Sequence, residues 1–167
     1  MEELFSGHGW KVTLEEAPLP DGRIKRAARA KRPDSVHIIA FKDPDHILLL
    51  REYRPFYGTH VWMLPSGKAD KETDLLEAAQ RELREETGYR AIALKHLWSA
   101  HAYESLKNTA AFFAAHTLSL DPLPQDAHEM IEVHTLPLEE ALHRVLSSSH
   151  VHLPSAYALL RYMHTSP

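Results

Sequence analysis

Apolar positions recur along this chain with two different periods, and each period predicts an element. Trp10, Val12 and Leu14 fall on every second position, the spacing of a half-buried strand. Pro18-Leu19-Pro20-Asp21-Gly22 then supplies turn chemistry, and Arg23 to Ala30 returns, which predicts an N-terminal β-hairpin. Val36 to Phe41 is an almost unbroken apolar run, as in a strand covered on both faces. Lys42-Asp43-Pro44-Asp45 turns the chain, and His46 to Arg51 is the expected partner strand. A polar, aromatic-rich stretch, Glu52 to His60, leads into Val61-Trp62-Met63-Leu64-Pro65.

The period then changes to that of a helix. Leu75, Leu76, Ala79 and Leu83 form one stripe, Asp74 with Glu77 reads as a capping box, and Gly88 stands where a left-handed C-cap belongs. Ala91 to Leu97, Thr109 to Thr117 and Met130 to Leu136 read as strands. Pro137 opens a helix that fades at Ser147-Ser148-Ser149, and Ser155 to Met163 is a last amphipathic helix. Strands and helices are interspersed without regular βαβ alternation, which predicts an α/β chain with a mixed sheet and helices on its faces.

Composition narrows the chemistry. The 167 residues contain no cysteine, which excludes disulfides, cysteine-ligated zinc and thiol nucleophiles. No apolar run reaches bilayer-spanning length, and the first five residues are acidic where a signal peptide is basic, so a cytoplasmic protein with no membrane partner is expected. The net charge of −4 argues against nucleic-acid binding by the molecule as a whole. One basic stretch stands out: Arg23, Lys25, Arg26, Arg29, Lys31 and Arg32. Two readings of it stand, a charged strand that resists edge pairing and a wall that attracts phosphate.

The candidate chemistry lies in Arg81-Glu82-Leu83-Arg84-Glu85-Glu86-Thr87-Gly88. On a helix, Glu82, Glu85 and Glu86 stand at i, i+3 and i+4 and share a face. Three carboxylates so placed repel one another unless a cation lies among them, and an oxygen-only set suits Mg²⁺, or Mn²⁺, better than zinc. The plainer reading is a solvated acidic face paired with Arg81 and Arg84.

The order Gly67, Arg81, Glu82, Leu83, Glu85, Glu86, Gly88, Tyr89 resembles the box of the Nudix hydrolase family, Gly-x5-Glu-x7-Arg-Glu-U-x-Glu-Glu-x-Gly-U, where U is a bulky apolar residue. One position departs: the first glutamate falls at Thr73, with Glu72 one residue early and Asp70 three early. Arg51-Glu52-Tyr53-Arg54-Pro55 upstream and Glu129 to Val133 downstream, with the N-terminal hairpin, resemble the ADP-ribose pyrophosphatase branch, which also cleaves other nucleoside diphosphate sugars. The motif before the later strands is poorly matched at His101-Ala102-Tyr103-Glu104-Ser105.

The resemblance implies a Nudix α/β/α sandwich over residues 36–167, preceded by a hairpin extension over residues 1–35 that serves homodimerisation. It implies Mg²⁺-dependent hydrolysis of the diphosphate in ADP-ribose or a related compound, giving a nucleoside monophosphate and a sugar phosphate. Glu82 and Glu86 would be the principal metal ligands, with Glu85 a third and the Ser66 carbonyl completing the set. Arg81 would hold the glutamates. Glu129 is the first candidate for general base, ahead of Glu132 and Glu104. Arg54, then Arg51, would bind phosphate, and Phe56, Tyr57 and Trp62 would stack on base or ribose. Two other outcomes stand beside this one: hydrolysis of GDP-mannose or a diadenosine polyphosphate, and a non-catalytic sensor or RNA-binding module on the same scaffold.

Overall fold

The computed structural model describes residues 1–72 and 74–165. The chain folds as β1 (Glu2–Gly7), β2 (Trp10–Pro18), β3 (Ile24–Lys31), β4 (Asp34–Phe41), β5 (His46–Arg54), β6 (Thr59–Met63), β7 (Ser66–Ala69), α1 (Leu75–Thr87), β8 (Tyr89–Ala100), β9 (Leu106–Lys107), β10 (Ala110–Leu120), β11 (Ile131–Pro137), α2 (Leu138–Leu146) and α3 (Leu153–Thr165). These form two sheets, β1-β2-β3-β9 and a seven-stranded sheet ordered β11-β5-β4-β10-β8, with β6 beside β5 and β7 beside β4. The larger sheet is mixed, because β10 runs parallel to β4 while the other pairs are antiparallel.

Alternation along β4 and β5 divides the core into two layers. Val36, Ile38, Ala40 and Leu48 pack on Ala78, Ala79 and Leu83 of α1. Ile39, Phe41, Ile47 and Leu49 pack on Ala141 and Val145 of α2 and on Ala156 and Leu159 of α3. The sheet is therefore sandwiched between α1 and the α2–α3 pair, the α/β/α arrangement expected.

β4 and β5 are paired with each other only at Ala40–Leu48 and Phe41–Ile47. Beyond that they diverge. β5 pairs with β6 from Leu50↔Met63 to Arg54↔Thr59, and β4 pairs with β7 from Asp34↔Ala69 to His37↔Ser66. The Leu64-Pro65 link sits at the apex, where Ile38 N–H donates to the Pro65 carbonyl at 2.9 Å. This split brings strand ends and the start of β7 against α1.

The N-terminal hairpin is present as β2 and β3, but it belongs to a larger sheet. β1 adds a strand through a two-residue turn, His8-Gly9, between the register partners Gly7 and Trp10. Both turn residues have positive φ, 52° and 78°, the conformation of the tight turns whose twist matches paired strands. The Gly-His-Gly sequence carried that signal. The basic stretch also resolves: Lys25 pairs with Glu104, Arg26 with Glu2, and Arg29 with Glu15, while Arg23 pairs with Asp21. Acids from β1, β2, the turn before β3 and Glu104 thus pair four of its six basic residues. Arg32, at its end, lines the cleft described below. At α1, Asp74 makes one capping bond, from Leu76 N–H at 2.9 Å, and Gly88 closes the helix at φ 76°.

Candidate active site

Two members of the acidic triad occupy positions that the helical pattern normally gives to core residues. Ala78, Ala79, Glu82, Leu83 and Glu86 form the buried stripe of α1, with Glu82 9% and Glu86 6% exposed. The turn into β7 makes this tolerable. Ser66 N–H donates to Glu86 Oε2 at 2.7 Å, and Gly67 lies directly against Glu82: a Cβ on Gly67 would stand 2.0 Å from the Glu82 carboxyl carbon. Only glycine leaves that carboxylate its place.

Arg81 gathers the remaining acids. Its Nη1 lies 2.8 Å from Glu82 and 2.6 Å from Glu85, and its Nη2 donates to the Lys68 carbonyl at 2.9 Å. Its Nε bonds Glu72, holding that carboxyl below the usual range. Glu72 therefore ties the loop to the helix from one residue before the box position. Thr73 itself lies outside the described residues. Glu85, with Glu82, lines a polar notch that Lys68, Lys71 and Gln125 share. Among the described residues, no three carboxylate or imidazole groups converge on one metal position, because Arg81 stands between Glu82 and Glu85 while Glu86 faces the Ser66 amide.

Beside Glu86 a cleft of about 330 Å³ opens at the split end of the sheet. Ser66, Glu86 and Glu129 line it with Arg54 and Arg32. Arg54 Nη2 is 2.8 Å from Glu52, a carboxylate only 4% exposed. Arg32 stacks its guanidinium over Trp10, 5.6 Å from the ring centroid. The basic stretch thus delivers one residue, Arg32, to the cleft of its own chain. Glu129 follows a turn in which its N–H bonds the Asp126 carbonyl.

Burial is the largest influence on these acids. It pushes Glu82 up to about 7 against the opposing pull of Arg81, and it holds Glu86 well above the usual carboxylate range against the Ser66 N–H. Glu52 and Glu129 are raised by the same cause, with Arg54 opposing in both. Oxygen donors that hold protons this tightly also favour a hard cation, and the room that Gly67 leaves is carboxylate-shaped, so the residues present fit a divalent metal.

A pH dependence follows. Glu82 and Glu86 bind protons in the folded chain that the unfolded chain has released above about pH 4.5, so stability falls as pH rises toward their folded values. His37 and His152 act oppositely: burial lowers them to about 3 and 4, so their contribution is lost as pH falls below about 6.5. Above pH 6.5 only the carboxylate effect remains. Thermal melts in chelator are expected to show Tm falling from pH 6.5 to 8, as stability drops by up to about 1.4 kcal/mol per pH unit for each carboxylate still protonated. With Mg²⁺ the slope is expected to flatten; a flat profile in chelator contradicts the protonated pair.

Several expected residues lie elsewhere. Arg51 faces away from the cleft and pairs with its register partner Glu132 at 2.8 Å. Trp62, opposite Arg51 in β6, packs edge-on against His134 beneath α2. Phe56 is fully exposed at the β5–β6 turn, and Tyr57 beside it stacks on His150. Glu104, the weakest base candidate, is exposed and paired with Lys25. Glu52, not among the residues expected at the site, belongs to the cluster through its pair with Arg54. It shares the parity of Leu48 and Leu50, and that was a signal in plain view.

The NUDIX domain profile matches residues 31–155. The chain is 29% identical to the ADP-ribose pyrophosphatase of Bacillus subtilis (strain 168), across 95% of this chain and 87% of that protein. It is 28% identical to the methanol dehydrogenase activator of Bacillus methanolicus, across 84% of this chain and 92% of that one. A crystal structure titled ADP compounds hydrolase superimposes with a TM-score of 0.82 over 98% of this chain and 89% of its own, at 23% identity, a likeness of fold. Since the profile takes in every residue from the end of β3 to the start of α3, the glutamate helix included, the chain belongs to the Nudix family of hydrolases.

Proposed function

We propose that the protein hydrolyses the diphosphate of ADP-ribose or a closely related nucleoside diphosphate sugar in the cytoplasm, with Mg²⁺ as cofactor and Mn²⁺ as a substitute. The observation that carries this reading is the burial of Glu82 and Glu86 side by side against a turn that admits only glycine, next to a cleft holding two guanidiniums. The naming of the Bacillus subtilis relative, aligned over nearly the whole chain, supports the choice of substrate.

Glu82 and Glu86 would hold the cation, with Glu85 and the Ser66 carbonyl as further oxygens. When bound, the cation supplies neutralisation of the charge that grows on the leaving phosphate and lowers the pKa of a coordinated water. Arg54 and Arg32 bind the diphosphate oxygens, and Glu52 keeps the Arg54 guanidinium in the cleft. Glu129, whose carboxylate is made more basic by burial and by Asp126, takes the proton of the attacking water. A P–O bond to water forms, the bridging P–O bond breaks, and the products are AMP and a sugar phosphate. Arg81 binds no substrate; it fixes Glu82 and Glu85.

The N-terminal sheet exposes Leu4, Phe5, Trp10 and Ile24, and we assign this face to a second copy of the chain, giving a homodimer. Among the described residues no helix is long and apolar enough to cross a membrane.

Chromatography of products after incubation with ADP-ribose, GDP-mannose and a diadenosine polyphosphate, each with Mg²⁺, tests the reading. ADP-ribose is expected to be split fastest, to AMP and ribose 5-phosphate. A faster release from GDP-mannose moves the substrate, and no release from any of the three overturns the proposal.

A further inference from the structure

Two histidines on the cleft wall, His37 buried and His152 half-buried, have no part in the chemistry above. His37 lies in β4 on the face turned toward α3, and His152 immediately precedes α3; both line the cleft. Their rings are 5.7 Å apart, and His37 also lies flat on Phe112 at 5.2 Å. His37 Nε2 is 3.2 Å from Ser35 Oγ, while its Nδ1 is buried and has no partner among the described residues. A buried polar atom left unpaired is costly, and a phenylalanine or leucine here would avoid that cost.

His152 shows what the pair offers. Its Nδ1 is 2.7 Å from Ser155 Oγ, and that fully buried oxygen already accepts the Leu64 N–H at 2.8 Å. Among the described residues the Ser155 hydroxyl has only Nδ1 to donate to, so hydrogen-bond accounting assigns the ring proton to Nε2. Nε2–H is then a donor on the cleft wall with no hydrogen-bond partner among the described residues. Both rings stay neutral near pH 7, because burial and the neighbouring Arg32 and Arg54 all oppose protonation. Neutral imidazoles are poor partners for a phosphate, and the cleft already presents two guanidiniums for that. They suit uncharged groups that both donate and accept, which hydroxyls are.

Position selects the hydroxyl. His37 is the register partner of Ser66, whose amide reaches Glu86. In a nucleoside diphosphate sugar, the first uncharged group met on leaving the diphosphate is a sugar ring on either side; the base lies one ring further. We propose that His37 and His152 form the specificity floor of the cleft, hydrogen-bonding the hydroxyls of the sugar joined directly to the diphosphate. This rests on the reading of the site as a nucleoside diphosphate sugar hydrolase.

The test compares kcat and KM of the wild type, His152→Phe, His152→Gln and His37→Phe on three compounds. These are ADP-ribose, ADP carrying a methyl ester in place of the terminal ribose, and ADP-ribose built on 2′,3′-dideoxyadenosine. His152→Phe is expected to lose about tenfold in kcat/KM on ADP-ribose, chiefly in KM, with a modest fall in Tm because the buried Ser155 hydroxyl loses its acceptor. The loss is expected to shrink to twofold or less on one analogue: the methyl ester if the terminal ribose is held, the dideoxy compound if the nucleoside ribose is held. His152→Gln, which keeps a donor, is expected to recover part of the activity. His37→Phe is expected to show the same pattern and replaces His152→Phe should that variant not fold. Equal losses on all three compounds, or no loss on any, overturn the floor. A wild type that splits none of them overturns the hydrolase reading instead, and the floor with it.

Discussion

Glu86→Gln is expected to fold as well as the wild type and to lose turnover by a factor of about a thousand or more, because a metal-binding oxygen worth several kcal/mol of transition-state stabilisation is removed. The two halves of this expectation come from the same geometry. Glu86 is buried, and burial is the largest influence on its carboxyl, so the fold gains nothing from its charge. A glutamine keeps an oxygen to accept the Ser66 N–H at the start of β7, the one hydrogen bond this side chain makes among the described residues. It also removes a carboxyl whose charged form burial penalises, so Tm in chelator is expected to be equal or higher. The measurement is kcat at saturating substrate and Mg²⁺, with Tm by circular dichroism on the same preparation. A variant that keeps more than a tenth of wild-type turnover removes Glu86 from the reaction. A variant that unfolds shows that the buried acid is structural.

Gly67→Ala is the second large effect, and it acts through Glu82. The added Cβ would meet the Glu82 carboxyl carbon at 2.0 Å and its oxygens at 2.1 and 2.3 Å. Backbone strain plays no part, since Gly67 is not among the residues of positive φ. What yields is the far end of a side chain with several rotatable bonds, so the fold is expected to survive with a Tm shift corresponding to about 1–2 kcal/mol. The displaced group, however, is the carboxylate that binds metal, and a displacement of about 1 Å at a catalytic centre costs on the order of a hundredfold in rate. Activity is therefore expected to fall far more than stability. Equal activity in Gly67→Ala and wild type would show that Glu82 has no fixed place in the reaction; unfolding would show that the turn, not the carboxylate, is what the glycine protects.

Both effects were partly legible in the sequence. Helical spacing alone put Glu82 and Glu86 on one face, and the pattern of strands and helices announced a sheet between helical layers. Which face of a strand a side chain takes was also readable, but only by following alternation past the end of the apolar run. Leu48 and Leu50 lead to Glu52 and Arg54 on the α1 side, whereas Leu49 leads to Arg51 and, across the pair, to Trp62 on the other. That parity carries Glu52 and Arg54 to one side of the sheet and Arg51 to the other, where it pairs with Glu132. What sequence spacing did not contain was the pairing between distant charges. Glu15 neutralises Arg29 and also Lys107, and Arg81 reaches back to Glu72 across the loop. Such partners are fixed by the sheet register and by the loop path, not by proximity along the chain. The cleft histidines belong to the same class. His37 reads as one more position in a buried strand, and His152 as a loop residue, until β4 and the start of α3 bring their rings together.

The central claim is that the glutamates of α1 bind a divalent cation as a site rather than as an acidic surface. Equilibrium titration of metal-free protein with Mn²⁺, followed by electron paramagnetic resonance, reads this directly. The wild type is expected to show a saturable site that Mg²⁺ competes for, that weakens as pH falls below about 7, and that is lost in Glu86→Gln. Weak, unsaturable binding of equal strength in the wild type and in Glu86→Gln would contradict it.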